Sequence, residues 1–186
     1  MIKFFSVLAL NDDEIWRRVR FVQNSVGAVP APFDCYLALR GLKTLHVRMD
    51  AAQRNAQAVV AFLDGHEGVE SVTYPGLASH PQHELAKTQA RGFGAMITFY
   101  LKGGLRESAE FLRSLQLFTL AESLGAVESL AECPAVMTHA SVPKEQREVL
   151  GISDNLVRLS VGIEAEGDLL DDLRQALVKV MALPPV

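Results

Sequence analysis

Two pairs of polar residues follow apolar runs in this 186-residue chain, and both could bind a ligand. Glu122 and Ser123 come at the end of one run, just before Gly125, and Thr138 and His139 end another. A buried segment that ends in adjacent polar side chains, with a glycine that permits a tight turn, can present hydrogen bonds to a small polar molecule. The alternative is a strand that leaves the core through a turn whose polar side chains meet only water.

Arg158 is a third candidate, because it interrupts the alternating apolar strand predicted over residues 156–163. Burying a guanidinium is costly unless an anion meets it, and its planar fork fits a carboxylate with two hydrogen bonds. Two other interpretations remain open. Arg158 could face solvent, or it could pair with a structural acid such as Asp154 or Glu164.

Ser123 and Arg158 could share one carboxylate ligand if their segments lie side by side. Such a site would recognise an amino acid or an oxo acid without a catalytic group of its own. The five histidines show no spacing typical of a Ser-His-Asp triad. His80 and His83 have the separation of a metal pair on a helix, but no matching third ligand is evident, so the start of a surface helix is favoured and no metal is predicted.

The composition is that of an ordinary soluble globular protein, with 49% apolar and 22% charged residues. A net charge of −4, without a basic cluster interleaved with aromatic residues, argues against nucleic-acid binding. Cys35 and Cys133 match no disulfide framework or zinc spacing, which favours a reducing cytosol. No segment approaches the length of a membrane span.

Apolar periodicity predicts the elements that would position these side chains. A helix is expected to start at Asn11, with Glu14 as its capping-box partner, and to stop at Gly27. A long amphipathic helix is expected from Thr44 to a cap at Gly65. Further helices are predicted over residues 33–39, 105–115, 144–150 and 164–180, with another opening over 79–83, and strands over 69–74, 92–101, 117–121 and 156–163. This order predicts an α+β fold, with a small, mostly antiparallel sheet and helices packed on one side.

Four segments closely resemble the trans-sulfuration enzymes, the pyridoxal-phosphate-dependent enzymes of cysteine and methionine metabolism. They are residues 23–49, 74–83, 117–130 and 156–162, which occur in the same order and with similar spacing in that family. The resemblance runs from about Asn11 to Met181. It implies the C-terminal domain of a fold-type I pyridoxal-phosphate enzyme, preceded by a long linking helix. Residues 1–10 would be a remnant strand of the cofactor domain, residues 11–43 linking helices, and residues 44–186 the C-terminal domain.

The resemblance also implies a role for each candidate residue. Arg158 would bind the substrate α-carboxylate, assisted by Ser123 and its neighbouring backbone. Thr138 would hold the Arg158 side chain or nearby backbone in place. Glu122 would lie at the distal end of the substrate, where an acid resembles the lyase and gamma-synthase members and differs from the apolar residue expected in methionine gamma-lyases. The lyase members convert cystathionine to cysteine, 2-oxobutanoate and ammonia.

The chain departs from the family in one respect that concerns catalysis. In the family, the lysine that binds pyridoxal phosphate lies in a Ser-x-Thr-Lys segment, and none of the six lysines here has that context, Lys3 included. No catalytic or cofactor-binding residue is therefore predicted, and the isolated chain is expected to be inactive. The alternatives are a non-catalytic module that forms homo-oligomers or mixed oligomers with full-length subunits, and a portion of a gamma-synthase.

Overall fold

A computed structural model describes residues 7–184. The chain forms two compact units, Met1–His46 and Val47–Val186. The first unit contains helices α1, Asp13–Val26, and α2, Pro32–Leu42. Within the range that the structure describes, no helix is long and apolar enough to cross a membrane.

Helix α1 begins later than its sequence predicts. The carboxylate of Asp12, not the side chain of Asn11, caps the helix by accepting hydrogen bonds from the backbone N–H groups of Glu14 at 2.8 Å and Ile15 at 2.9 Å. An acceptor at this position satisfies backbone donors that have no partner within the helix. The predicted stop is confirmed, because Gly27 adopts a left-handed conformation with φ of 70°.

The first unit leaves apolar side chains uncovered, and neither of its helices contains a buried residue. Trp16, Phe21 and Phe33 are among the exposed aromatic side chains. Residues 7–10 form neither helix nor strand, and the rest of the strand predicted over residues 1–10 lies outside the described residues.

The second unit is built on a five-stranded sheet in the order β1-β2-β5-β4-β3. Its strands are β1 Val69–Thr73, β2 Met96–Leu101, β3 Thr119–Leu120, β4 Leu130–Glu132 and β5 Leu156–Ser160. Its helices are α3 Leu45–Leu63, whose first two residues belong to the first unit, α4 His83–Gln89, α5 Leu105–Ser114, α6 Lys144–Val149 and α7 Glu166–Met181. The strand pairs are antiparallel except for the parallel pair β3–β4. The predicted α+β fold with a mostly antiparallel sheet is thus confirmed.

The core lies against the apolar face of the sheet. Strand β2 alternates, with Ile97, Phe99 and Leu101 fully buried and the residues between them half-buried. Helices α3, α5 and α7 supply the facing side chains, which include Val59, Leu63, Phe111, Leu169, Leu173 and Leu177. The rings of Phe99 and Phe111 meet edge to face with their centroids 5.5 Å apart, a favoured aromatic geometry.

Several predicted elements are shorter in the structure, because side chains or turns bind the backbone groups that would have extended them. The N–H groups of Phe93 and Gly94 donate to Oε1 of Gln53, so β2 starts at Met96 and not at residue 92. Residues 77–83 form successive turns, so α4 begins only at His83, at the end of the predicted range 79–83. Strand β5 ends at Ser160, and Ile163, predicted to share its buried face, is 42% exposed.

Helix α7 fastens the segment that leads to the candidate site. The buried carboxylate of Asp172 accepts hydrogen bonds from the backbone N–H groups of Gln116, Leu117 and Phe118, at 2.8, 2.8 and 3.0 Å. These donors are therefore unavailable to a sheet partner, so β3 is reduced to two residues. The same contact fixes where the chain enters the loop that carries Glu122.

Candidate functional site

Arg158 lies at the middle of β5, between two neighbouring strands. In the sheet register it is opposite Thr98 of β2 and opposite Glu132 of β4. Its side chain is 23% exposed, so the guanidinium is partly covered but open to solvent. The sheet therefore holds this charge at a defined place at the rim of the core.

The guanidinium of Arg158 has two partners among the described residues, and both are reached through Nη2. Nη2 lies 2.9 Å from Oε1 of Glu132 and donates to the backbone carbonyl of Glu122 at 3.0 Å. The second contact brings the loop of Glu122 and Ser123 to Arg158, as the sequence led us to expect. Neither contact uses Nη1 or Nε.

The acid that pairs with Arg158 is not one of the two suggested by the sequence. Asp154 pairs with Lys144 and Arg147, at 3.4 Å in each case. Glu164 instead accepts hydrogen bonds from both the N–H and the hydroxyl of Ser129. Asp154 and Glu164 are close to Arg158 in sequence. Glu132 is distant in sequence, but the pairing of β4 with β5 places it opposite Arg158.

Glu132 is the member of this cluster that the sequence patterns do not single out. It is 1% exposed, and its Oε2 atom has no hydrogen-bond partner among the described residues. Burial raises the pKa of the Glu132 carboxyl, while the nearby Arg158 charge opposes that rise. A single acid within the apolar run of residues 130–137 is the sequence signal that could have identified it.

Thr138 contacts Glu132 and not Arg158. Its Oγ1 lies 3.3 Å from Oε1 of Glu132, the oxygen that also pairs with Arg158, and 3.0 Å from Nδ1 of His139. Any influence of Thr138 on the guanidinium therefore passes through Glu132. The family resemblance implied that Thr138 holds the Arg158 side chain or nearby backbone in place, and the structure gives it an indirect route to the guanidinium.

The loop after β3 presents Glu122 and Ser123 to solvent beside Arg158. Gly125 makes the turn with φ of 76°, and its N–H donates to Oγ of the buried Ser160 at 2.8 Å. A non-glycine residue would rarely adopt this conformation. No hydrogen bond within the described residues occupies the Ser123 hydroxyl, which faces solvent as one of the loop's donors.

A second set of hydrogen bonds fixes the far end of this loop. Oγ of Ser129 donates to Glu164 at 2.9 Å and accepts from the N–H of Gly162 at 2.8 Å. The amide of Asn55, on α3, donates to the carbonyls of Gly162 and Glu164 at 3.1 and 2.8 Å. The loop is therefore anchored at both ends, as a preformed binding site requires.

This arrangement is chemically suited to bind a carboxylate. Nε and Nη1 of Arg158 have no hydrogen-bond partner among the described residues, so their N–H groups are each available to a ligand carboxylate, and the Ser123 hydroxyl and nearby backbone lie on the adjoining loop. Glu122 adds an exposed acid that could meet an amino group. The site has the donors to hold an amino acid by its carboxylate.

Neither a metal nor a complete cofactor site is formed by these residues. Among the described residues, no group of three or more His, Cys, Asp or Glu side chains could hold a metal ion. Nδ1 of His83 lies 2.8 Å from the carbonyl of Pro75, and Nδ1 of His80 accepts from Gln82 N–H, so these histidines have structural partners.

Lysines within residues 7–184 do not reach the Arg158 site through any hydrogen bond or ion pair. Lys87 pairs with Glu84 and Lys144 with Asp154, and Lys3 lies outside the described residues. Residues 7–184 thus fit the carboxylate of a substrate but place no lysine at this site for pyridoxal phosphate.

Comparison with known proteins identifies the family to which the chain belongs. The family model for "Cys/Met metabolism PLP-dependent enzyme" matches residues 4–178. Cystathionine gamma-lyase of Dictyostelium discoideum is 62% identical over 173 residues, which are 93% of this chain and 45% of that protein. The human cystathionine gamma-lyase is 61% identical over 171 residues, 92% of this chain and 42% of that protein.

Solved structures show the same relation. Cystathionine gamma-lyase from yeast superposes with a TM-score of 0.89 at 49% identity, and the match covers 93% of this chain and 45% of that chain. Cystathionine gamma synthase from Xanthomonas oryzae pv. oryzae in complex with cystathionine gives a TM-score of 0.87 at 50% identity, covering 92% of this chain and 44% of that one. The chain thus spans less than half the length of these relatives, and it belongs to the Cys/Met metabolism family of pyridoxal-phosphate-dependent enzymes.

Proposed function

We propose that this chain forms the substrate-carboxylate side of the active site of a carbon–sulfur lyase that acts on cystathionine. The observation that carries the proposal is the geometry of Arg158, whose Nη2 is held by Glu132 and the Glu122 carbonyl while its Nε and Nη1 donors have no partner among the described residues. The gamma-lyases to which the chain is about 60% identical point to gamma-elimination as the reaction.

Each site residue has a proposed role in this function. Arg158 binds the α-carboxylate, and Ser123 with its neighbouring backbone donates further hydrogen bonds to it. Thr138 acts on Arg158 through Glu132. Glu122 meets the distal, amino-acid end of cystathionine and influences which substrates are accepted. Pyridoxal phosphate, when bound to the complete enzyme, supplies the electron sink.

A gamma-synthase reaction is the second enzymatic candidate. The solved structures that superpose on this chain include a cystathionine gamma synthase in complex with cystathionine. Glu122 does not separate the two, because the family resemblance implies an acid there in both. Supplying a complete holoenzyme with cystathionine, or with an activated homoserine ester and cysteine, would distinguish the lyase from the synthase.

Substitution of Arg158 by lysine tests the carboxylate site. We expect Arg158→Lys to weaken L-cystathionine binding by about tenfold, because lysine keeps the charge but loses the planar fork. Isothermal titration calorimetry would measure this, with the exposed Arg113→Lys as the matched control. The proposal would be contradicted if Arg158→Lys bound cystathionine with unchanged affinity. It would also be contradicted if the wild type bound the diamine analogue that lacks both carboxylates as tightly as cystathionine.

We also propose that the 186-residue chain alone does not turn over cystathionine, because none of its six lysines lies in a Ser-x-Thr-Lys segment. Incubation with pyridoxal phosphate, borohydride reduction and mass spectrometry should give no stoichiometric adduct at one lysine. A single stoichiometric adduct together with release of 2-oxobutanoate would show that the proposal of inactivity is wrong. The carboxylate site would be unaffected by that outcome.

A non-catalytic interaction module is a further candidate function, favoured by the uncovered apolar side chains of the first unit. Trp16 is 55% and Phe21 72% exposed, and exposed apolar surface of this kind is typical of interaction sites. The partner would be a second copy or a full-length subunit of the family, giving a homo-oligomer or a mixed oligomer. Co-purification with such a subunit would support this candidate. A chain that stays monomeric when mixed with the full-length subunit would count against it.

A further inference from the structure

Glu132 is placed where it controls the orientation of Arg158. The two residues are direct cross-strand neighbours on β4 and β5, so the sheet itself sets their separation. We infer that Glu132 is the positioning residue of the carboxylate site: it fixes Arg158 through Nη2 and thereby sets the direction in which the remaining Nε and Nη1 donors point. The inference rests on the proposed function and assigns Glu132 a part in it.

The geometry of the buried carboxylate supports this assignment. Its Oε1 receives both Arg158 Nη2, at 2.9 Å, and Thr138 Oγ1, at 3.3 Å, so this oxygen is directed by two partners on different segments. Because Glu132 is almost completely buried, it has little freedom to leave the guanidinium. Arg158 is more exposed and has rotamers that would turn its fork to water, which the ion pair prevents.

The charge of Glu132 has a separate consequence for affinity. The groups that face it are Arg158 on β5, Thr138 and His139 on the segment after β4, and Glu122 on the loop after β3. A bound ligand carboxylate brings a second negative charge to the same guanidinium, so ionised Glu132 opposes binding while its hydrogen-bond acceptor supports it. Glu132 therefore affects ligand binding in two ways, by the hydrogen bond that orients Arg158 and by the charge that repels the ligand. Different substitutions can test the two effects separately.

Two neutral substitutions isolate the orientation. Glu132→Gln keeps an oxygen that accepts from Nη2, whereas Glu132→Leu has similar bulk and no acceptor. We expect the Nε–H signal of Arg158 in the ligand-free, isotope-labelled chain to be ordered in the wild type and in Glu132→Gln, and mobile in Glu132→Leu. With both variants neutral, L-cystathionine should bind about tenfold more tightly to Glu132→Gln than to Glu132→Leu.

A pH series isolates the charge. At about pH 8, Glu132→Gln should bind L-cystathionine about fivefold more tightly than the wild type, because the repulsion between the two carboxylates is gone. Burial raises the pKa of Glu132, so protonation begins at a higher pH than for an ordinary glutamate, and the advantage of Glu132→Gln should shrink as pH falls. The exposed Glu128→Gln is the matched control and should follow the wild type.

The outcomes separate the inference from the proposed function. An Arg158 side chain that stays ordered in Glu132→Leu, or equal affinities in the Gln and Leu variants, would overturn the inference even if the ligand binds. If Glu132→Leu fails to fold, a Glu132→Gln variant with a mobile Arg158 would overturn it, and an ordered Arg158 with the pH-dependent affinity gain would support it. If no variant binds cystathionine but Arg158 loses order only in Glu132→Leu, the proposed function fails and the positioning role stands.

Discussion

Replacing Arg158 with methionine is expected to lower the free energy of unfolding by about 3 kcal/mol at neutral pH, because it leaves a buried acid without its counter-charge. Glu132 is 1% exposed, and its ion pair with Arg158 is 2.9 Å long. Oε2 of Glu132 already lacks a hydrogen-bond partner among the described residues, and without Arg158 the hydrogen bond from the neutral Thr138 hydroxyl to Oε1 would remain but would bring no counter-charge. Denaturant titration of the wild type and the variant would measure the loss.

The pH dependence of this loss identifies its cause. Burial already raises the pKa of Glu132, and removal of Arg158 takes away the charge that opposes the rise. A carboxyl with a raised folded-state pKa favours folding fully below its unfolded-state pKa, and this contribution is lost as pH rises through the folded-state pKa. The stability difference between wild type and Arg158→Met should therefore shrink on acidification. A difference that stays constant with pH, or persists when Glu132→Leu is added, would contradict this explanation.

Replacing Gly162 with alanine is expected to cost about 3 kcal/mol of stability, because the added methyl group enters space already filled by backbone. A Cβ at this position would collide with the carbonyl oxygen of Val127 and lie 2.7 Å from the carbonyl carbon of Glu128. Neither atom can move alone, since the N–H of Ile163 donates to that same Val127 carbonyl at 2.9 Å. Thermal and denaturant unfolding would measure the change.

Gly167 provides the matched control for this substitution. It lies in the first turn of α7, and a Cβ there would meet no atom within 4 Å. Gly167→Ala is expected to leave stability unchanged or raise it by about 0.5 kcal/mol, because alanine favours helix more than glycine does. If Gly162→Ala were as stable as Gly167→Ala, the close approach of residues 162 and 127 would not be a constraint on the fold.

The elements that could be predicted from the sequence are those with strong local periodicity. The long helix α3 and the final helix α7 follow their apolar patterns, strand β2 follows its run of β-forming residues, and Gly27 marks the end of α1. Arg158 was identified for a local reason as well, as a charge within an apolar strand. In each case, residues within a few positions of one another carry the information.

The remaining features depend on contacts between residues distant in sequence. Glu132 and Arg158 become neighbours only when β4 pairs with β5, a register that neither segment specifies alone. Strand β3 is short because Asp172 on α7 binds three backbone N–H groups ahead of it. Local patterns therefore indicated the arginine of the site but not the acid that holds it.

The central claim is that Arg158 binds a substrate carboxylate through the N–H donors that Glu132 and Glu122 leave available. The most direct measurement follows the Nε–H signal of Arg158 during titration of the isotope-labelled chain with L-cystathionine. The claim predicts a saturable shift of this signal, together with shifts of the amide signals of Ser123 and Gly125. It predicts no such shift with the diamine analogue that lacks both carboxylates. An Arg158 signal that stays unchanged at saturating cystathionine, or that moves equally with the analogue, would contradict it.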